Sequence, residues 1–173
     1  MRLLLFGIAT GLASLTISCN DKSGGVDSVT QKNLDAVHSI NKAFETGDVS
    51  KLGDYITNDA VDHDPKGDRK GLDSAKAMIA RTHTSGTDMK SVTVKELADH
   101  EYVFQLMHYT GTSANADMGM PAGTKYDMMS IEVTKHNSDG KVTEHWAYID
   151  PKDMMKMMPP QPGMQMMDTS ATH

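Results

Sequence analysis

Two hydrophobic periods run through this chain, and the switch between them near residue 90 limits what it can fold into. Upstream, Leu34, Val37, Ile40 and Phe44 recur at steps of three and four, flanked by Ala36 and Ala43. That is one stripe of an amphipathic helix, and Gly47 ends it. Asp48 reads as the N-cap of a second, short helix through Val49, Leu52, Tyr55 and Ile56. A turn at Asn58-Asp59 leads into an extended piece over residues 60–64, which Pro65 stops. Residues 66–70 form a charged loop with Gly71 as its exit, and Asp73 reads as the cap of a third helix carrying Ala75, Met78 and Ile79. Downstream, residues 91–97, 102–110, 126–135 and 141–149 are rich in Val, Thr, Tyr and Ile, with turn residues between them. Helices first and antiparallel strands after is an α+β order, in which a curved sheet folds around helices. Leu34, Val37, Ile40, Phe44 and the single tryptophan, Trp146, are expected to share one core. Residues 111–124 form a long loop of the kind that borders a pocket.

The ends have a different character. Arg2 precedes an apolar run from Leu3 to Ile17, then Ser18-Cys19, the layout of a secretory signal over residues 1–18 that is too short for a comfortable membrane span. Cys19 is the only cysteine in the sequence, so no internal disulfide is possible. Leu15-Thr16-Ile17-Ser18-Cys19 resembles a bacterial lipobox with Thr16 where Leu is commonest. Lipidation of Cys19 is expected, with the protein at the cell envelope, on the outer membrane or a periplasmic face; ordinary cleavage nearby is the alternative. Residues 19–27 then read as a flexible tether and 28–153 as the folded domain. Residues 154–173 form a Met/Pro-rich tail whose first fourteen positions hold seven Met and three Pro. Its thioethers suit a soft ion such as Cu(I), and equally an apolar covering role. Asp and Glu number 23 against 17 Lys and Arg, a mild, dispersed acidity that argues against a nucleic-acid partner.

Two motifs stand far apart in the folded part: Tyr55, His63-Asp64-Pro65 and Gly71 early, then Glu144-His145-Trp146 after the tight turn Asn137-Ser138-Asp139-Gly140-Lys141. Together they resemble the paired signatures of the SnoaL-like branch of the NTF2-like superfamily. The resemblance implies a cone-shaped fold with N-terminal helices packed in a strongly curved antiparallel sheet around one apolar pocket. It also implies sheet-to-sheet homodimers and no organic cofactor. Family activities range from cyclase, isomerase and dehydratase chemistry on carbonyl compounds to binding of a small apolar ligand, so fold alone does not choose among them. The family pattern commonly has Asp after the Trp; this chain has Ala147. That departure favours binding.

Candidate catalytic residues are His63, His145 and Asp127, and candidate ligand contacts are Tyr55, Asp64, His108, Tyr126 and Trp146. An imidazole titrates near neutral pH and either takes or gives a proton, which suits enolisation or dehydration in an apolar pocket. His63 and His145 are expected to face the same cavity. His63-Asp64-Pro65 is equally readable as a structural turn. Alternation in residues 142–149 places Val142, Glu144, Trp146 and Tyr148 on one face and Thr143, His145, Ala147 and Ile149 on the other. Likewise Tyr102, Phe104, Leu106 and His108 share a face, which makes His108 either a core or a pocket group. Asp127 is exposed or paired in the bland reading, and Trp146 packs against the first helix. No zinc-type His spacing occurs, and no metal site is expected outside the Met clusters.

Overall fold

Asp27 opens the first helix by accepting the amides of Val29 and Thr30 with its side chain, which satisfies donors the helix leaves unpaired. Helix α1 spans Ser28–Thr46 and ends at Gly47, whose φ of 71° is left-handed, a conformation glycine adopts without a Cβ penalty. The computed structural model describes residues 26–157. Cys19, the signal segment before it and the tail from 158 onward lie outside the described residues.

After α1 come α2 (Leu52–Tyr55), β1 (Ile56–His63), β2 (Arg69–Lys70) and α3 (Leu72–Thr84). They are followed by β3 (Gly86–Ala98), β4 (Tyr102–Ser113), β5 (Lys125–His136), β6 (Val142–Ile149) and α4 (Pro151–Met157). The strands form one curved sheet in the order β2-β1-β6-β5-β4-β3. Every pairing is antiparallel except β1 beside β6, which is parallel. The α+β order read from the two periods is the observed fold, in agreement with the cone that the resemblance implies. The expected antiparallel sheet is corrected at one place, the parallel pair of β1 and β6.

Local expectations needed correcting where a polar residue had been read as punctuation. Asn58 and Asp59 continue β1 instead of turning, at the place where its register against β6 slips between Ile56 and Val61. Arg69 and Lys70, expected in a loop, pair with β1. Asp48 caps no helix; its carboxylate accepts the Ser50 amide in a local turn, and α2 begins at Leu52. Asp73 lies in the first turn of α3, where its charge suits the helix dipole, and Gly71 takes the cap position.

Ala43, Leu52, Ile56, Ala60, Ile79 and Val142 form the core, with Ile40, Phe44, Val49, Leu72, Ala75 and Met78 packed against it. Val142 is there because β6 bulges: Lys135 pairs with Glu144 and His136 with Val142, leaving Thr143 extra. The bulge resets the alternation, so Val142 shares the inner side with His145 instead of the outer side with Glu144. Trp146 does not enter this core; it is half-buried on the outer face, stacked on His63 with ring centroids 4.6 Å apart. Leu34 is also only half-buried. In β4 the inward residues are Val103, Gln105 and Met107, while Phe104 is 46% exposed. The Asp99 carboxylate, by holding the amides of Glu101 and Tyr102, fixes that register, and register decides which face each residue takes.

Candidate functional site

The cone encloses a cavity of about 270 Å³ between α1, α3 and the inner face of the sheet. Its apolar wall comes from Val37, Ile40 and Phe44 of α1 and Met78 of α3, with Met89, Tyr126 and Met128 from the strands. A smaller pocket of about 70 Å³ behind it shares Ile40, Phe44, Met78 and His145 and reaches Ile56, Ala60, Ile79 and Val142.

The polar wall is a single connected chain of groups. His145 stands between two carboxylates, its Nδ1 2.8 Å from Asp62 Oδ1 and its Nε2 2.9 Å from Glu132 Oε2. Asp62 comes from β1, directly opposite His145, and Glu132 from β5, directly opposite Ala147. Arg69 on β2 donates from Nε and Nη2 to Asp62 Oδ2, and from Nη1 to Asp64 Oδ2 at 2.7 Å. At the other end, Glu132 Oε1 accepts the Ser130 hydroxyl at 2.7 Å and the Tyr109 hydroxyl at 3.3 Å. Five strands, β2, β1, β6, β5 and β4, thus supply one relay from Arg69 to Tyr109.

The relay fixes protonation states. Burial opposes charge on His145, but hydrogen bonds to Asp62 and Glu132, reinforced by their charges, outweigh it and raise the imidazole to about 9. Burial alone would raise Asp62; His145 and Arg69 reverse that and hold it below its ordinary value. Burial, then the Glu132 charge, pushes the Tyr109 phenol upward. At neutral pH His145 is therefore an imidazolium with both N–H groups engaged. It is placed to hold carboxylates and has no free lone pair with which to take a proton.

His63 borders the same cavity, yet its ring belongs to the other side of the sheet. Its Nε2 lies 3.0 Å from Glu144, its Nδ1 3.2 Å from Asp68, and its plane stacks on Trp146. The bond to Glu144 raises its pKa despite some desolvation, helped by Asp68. Adjacent residues of a strand face opposite ways, so pairing with Glu144 and Trp146 removes the His63 ring from His145. Both histidines line the cavity, but only His145 joins the relay; the ring of His63 is held by Glu144, Asp68 and Trp146.

Asp64 lines the cavity through its contact with Arg69. Tyr126 is 5% exposed, lines the cavity, and lays its hydroxyl over Gly111, where a Cβ would collide with it. Burial raises that phenol. Tyr55 ends α2 and is not among the residues lining this cavity. His108 and Asp127 pair with each other at 2.8 Å on the outer face, the aspartate side chain 81% exposed. His108 is consequently neither core nor pocket, and Asp127 is remote from the relay.

Glu132, Asp62, Arg69 and Tyr109 were not singled out by motif reading. The signal available was alternation along β5: Tyr126, Met128, Ser130, Glu132 and Thr134 share one side, and Asp127, Ile131 and Val133 the other. A glutamate in step with Tyr126 is a carboxylate on the concave face.

Residues 34–158 match the SnoaL-like polyketide cyclase family, and the chain belongs to it. None of the curated proteins compared matches the chain by sequence. Among solved structures, a SnoaL-like polyketide cyclase of Jannaschia sp. CCS1 superposes with a TM-score of 0.64 at 18% identity, covering 79% of this chain and 99% of its own. TsrD of Streptomyces laurentii gives 0.63 at 18% identity, covering 77% and 97%. A SnoaL-like polyketide cyclase of Agrobacterium tumefaciens gives 0.62 at 13%, covering 72% and 95%. Identities this low carry the fold and nothing finer.

Proposed function

We propose that this SnoaL-like domain binds a small apolar molecule in its central cavity, at the cell envelope, without an organic cofactor. The observation that carries the reading is the cavity itself, apolar on its helical side, with a polar wall whose imidazolium is fully occupied by Asp62 and Glu132. A wall of this kind orients a ligand and leaves His145 unable to act as a neutral base. A Cys19 lipid anchor is the proposed tether. The proposed homodimer rests on the outer sheet face, where Leu97, Phe104, Val133 and Trp146 form one cross-strand row and Leu106, Ile131 and Tyr148 another. Native mass spectrometry of full-length protein extracted from its own membranes tests the reading. A diacylglyceryl-modified amino terminus and a co-purifying small molecule, lost in Phe44→Trp, are the expected result. A water-soluble mature form starting after Cys19 contradicts the anchor, and a cavity empty in every preparation contradicts the binding role.

The second reading is a cofactor-independent acid/base enzyme acting on a carbonyl compound, favoured by a carboxylate, Glu132, beside a phenol, Tyr109, in the cavity wall. Turnover of any carbonyl substrate that disappears in Glu132→Gln would establish it. Cu(I) binding by the Met-rich tail is a lesser proposal. Met154 and Met155 are exposed on α4, and the residues from 158 lie outside the described ones.

A further inference from the structure

Three groups flank Glu132, and each of them gives its hydrogen to a carboxylate: His145 to Asp62 and Glu132, Ser130 to Glu132, and Tyr109 to Glu132. This part of the wall has no donor left for a ligand. It does have an acceptor, because a carboxylate offers about four acceptor positions and Glu132 uses one on Oε2 and two on Oε1. The approach is open on one side: Ala147, directly across from Glu132, lines the cavity and is exposed. A methyl group there leaves the carboxylate uncovered, and the Glu132 side chain keeps 16% of its surface accessible.

We infer that Glu132 is the specificity-determining residue of the cavity, accepting a hydrogen bond from a hydroxyl or N–H of an otherwise apolar ligand at the gap over Ala147. The inference rests on the proposed binding function and narrows its ligand class to hydrogen-bond donors. The apolar body of the ligand runs from Glu132 toward Phe44 and Met78, which belong both to the main cavity and to the smaller pocket behind it. A ligand bearing only acceptors, such as an ether or ester, meets the lone pairs of Glu132 and is disfavoured, as is a carboxylate through like charge. Donation to an ionised partner is the strong form of hydrogen bond in a low-dielectric site.

A matched pair of probes tests this without knowledge of the natural ligand: 1-naphthol, which carries a donor, and 1-methoxynaphthalene, which does not. Titration calorimetry on the full chain at pH 7 is expected to give 1-naphthol an affinity higher by about tenfold or more, the range of a hydrogen bond to a charged acceptor. Glu132→Gln keeps the shape and removes the charge; it is expected to lower naphthol affinity by a similar factor and leave methoxynaphthalene unchanged. Ala147→Phe covers the approach while leaving the bonds of Glu132 intact, and is expected to abolish the preference. Circular dichroism checks the fold of both variants, and the wild-type comparison needs neither. Equal affinity of wild type for the two probes overturns the role of Glu132 while leaving the cavity function standing. A naphthol preference that survives both substitutions assigns the acceptor elsewhere and also overturns it. If neither probe binds, the binding function fails and this inference falls with it.

Discussion

The two faces of the sheet invert the usual distribution of residues. On the concave face, Asp62, Glu132 and His145 keep only 18, 16 and 28% of their side-chain surface. On the convex face, Leu97, Phe104, Ile131 and Tyr148 are exposed at 75, 46, 47 and 59%. A buried polar cluster and a contiguous exposed apolar patch are the two departures from ordinary burial that carry information. Each face also has its histidine. His145, between two carboxylates inside the cone, is held charged; His63, outside, is braced by Glu144, Asp68 and Trp146 at the mouth of the β1–β2 turn. The two rings are about equally exposed, at 28 and 29%. The inner carboxylates, however, keep 18 and 16% of their surface against 45 and 32% for Asp68 and Glu144, and solvent screening weakens the outer ion pairs more.

The contrast breaks most severely if His145 is not the charged keystone of the inner face. Its folded pKa lies near 9, above the ordinary 6.5. Below pH 6.5 the imidazole is protonated in both folded and unfolded chains and its stabilisation is complete. As pH rises through about 9 the folded protein loses the proton and the contribution disappears. The expected loss is ~3 kcal/mol, read as a fall in denaturant midpoint between pH 6.5 and 9 that is absent in His145→Gln. A flat profile for the wild type would put the two histidines on an equal footing.

Next in size is the close approach of Tyr126 to β4 inside the cone. Gly111→Ala sets a methyl against the phenol ring and is expected to cost about 1–3 kcal/mol by overpacking, measured by urea denaturation. Thermal stability equal to wild type would mean the ring is free to leave the cavity wall.

On the convex face the expected effects concern association more than stability. Ile131→Lys places a charge in the middle of the exposed apolar patch. Sedimentation velocity at micromolar concentration should find the wild type dimeric and this variant monomeric, with both cones folded. A wild type that sediments as a monomer removes the dimer proposal. The smallest effect belongs to His108 and Asp127, whose exposed pair should contribute within about 0.5 kcal/mol. Asp127→Ala is therefore expected to leave both stability and naphthol binding unchanged, and a loss of binding would restore it to the site.

Much of the fold was legible because periodicity reports burial directly. The stripe from Leu34 to Phe44, the four β-rich segments and the terminating Gly47 lie where the spacing put them, and motifs at both ends of the domain led to the family. The site was legible only in part. His145 was found by motif and Asp64 and Tyr126 by position, but Glu132 was hidden in a strand that carried no motif. Its importance comes from standing opposite Ala147 across a backbone ladder, and a single sequence does not say which strands pair.

By itself, then, the sequence determined the order and kind of the elements, because helix and strand each impose a period on the residues that must meet the core. Tertiary structure alone decided which histidine joined the carboxylate relay and which took its partners from the other side of the sheet. The bulge at Thr143 and the slip in β1 are shifts of register, and with a side-chain period of two, a shift by one residue sends every later side chain to the opposite face.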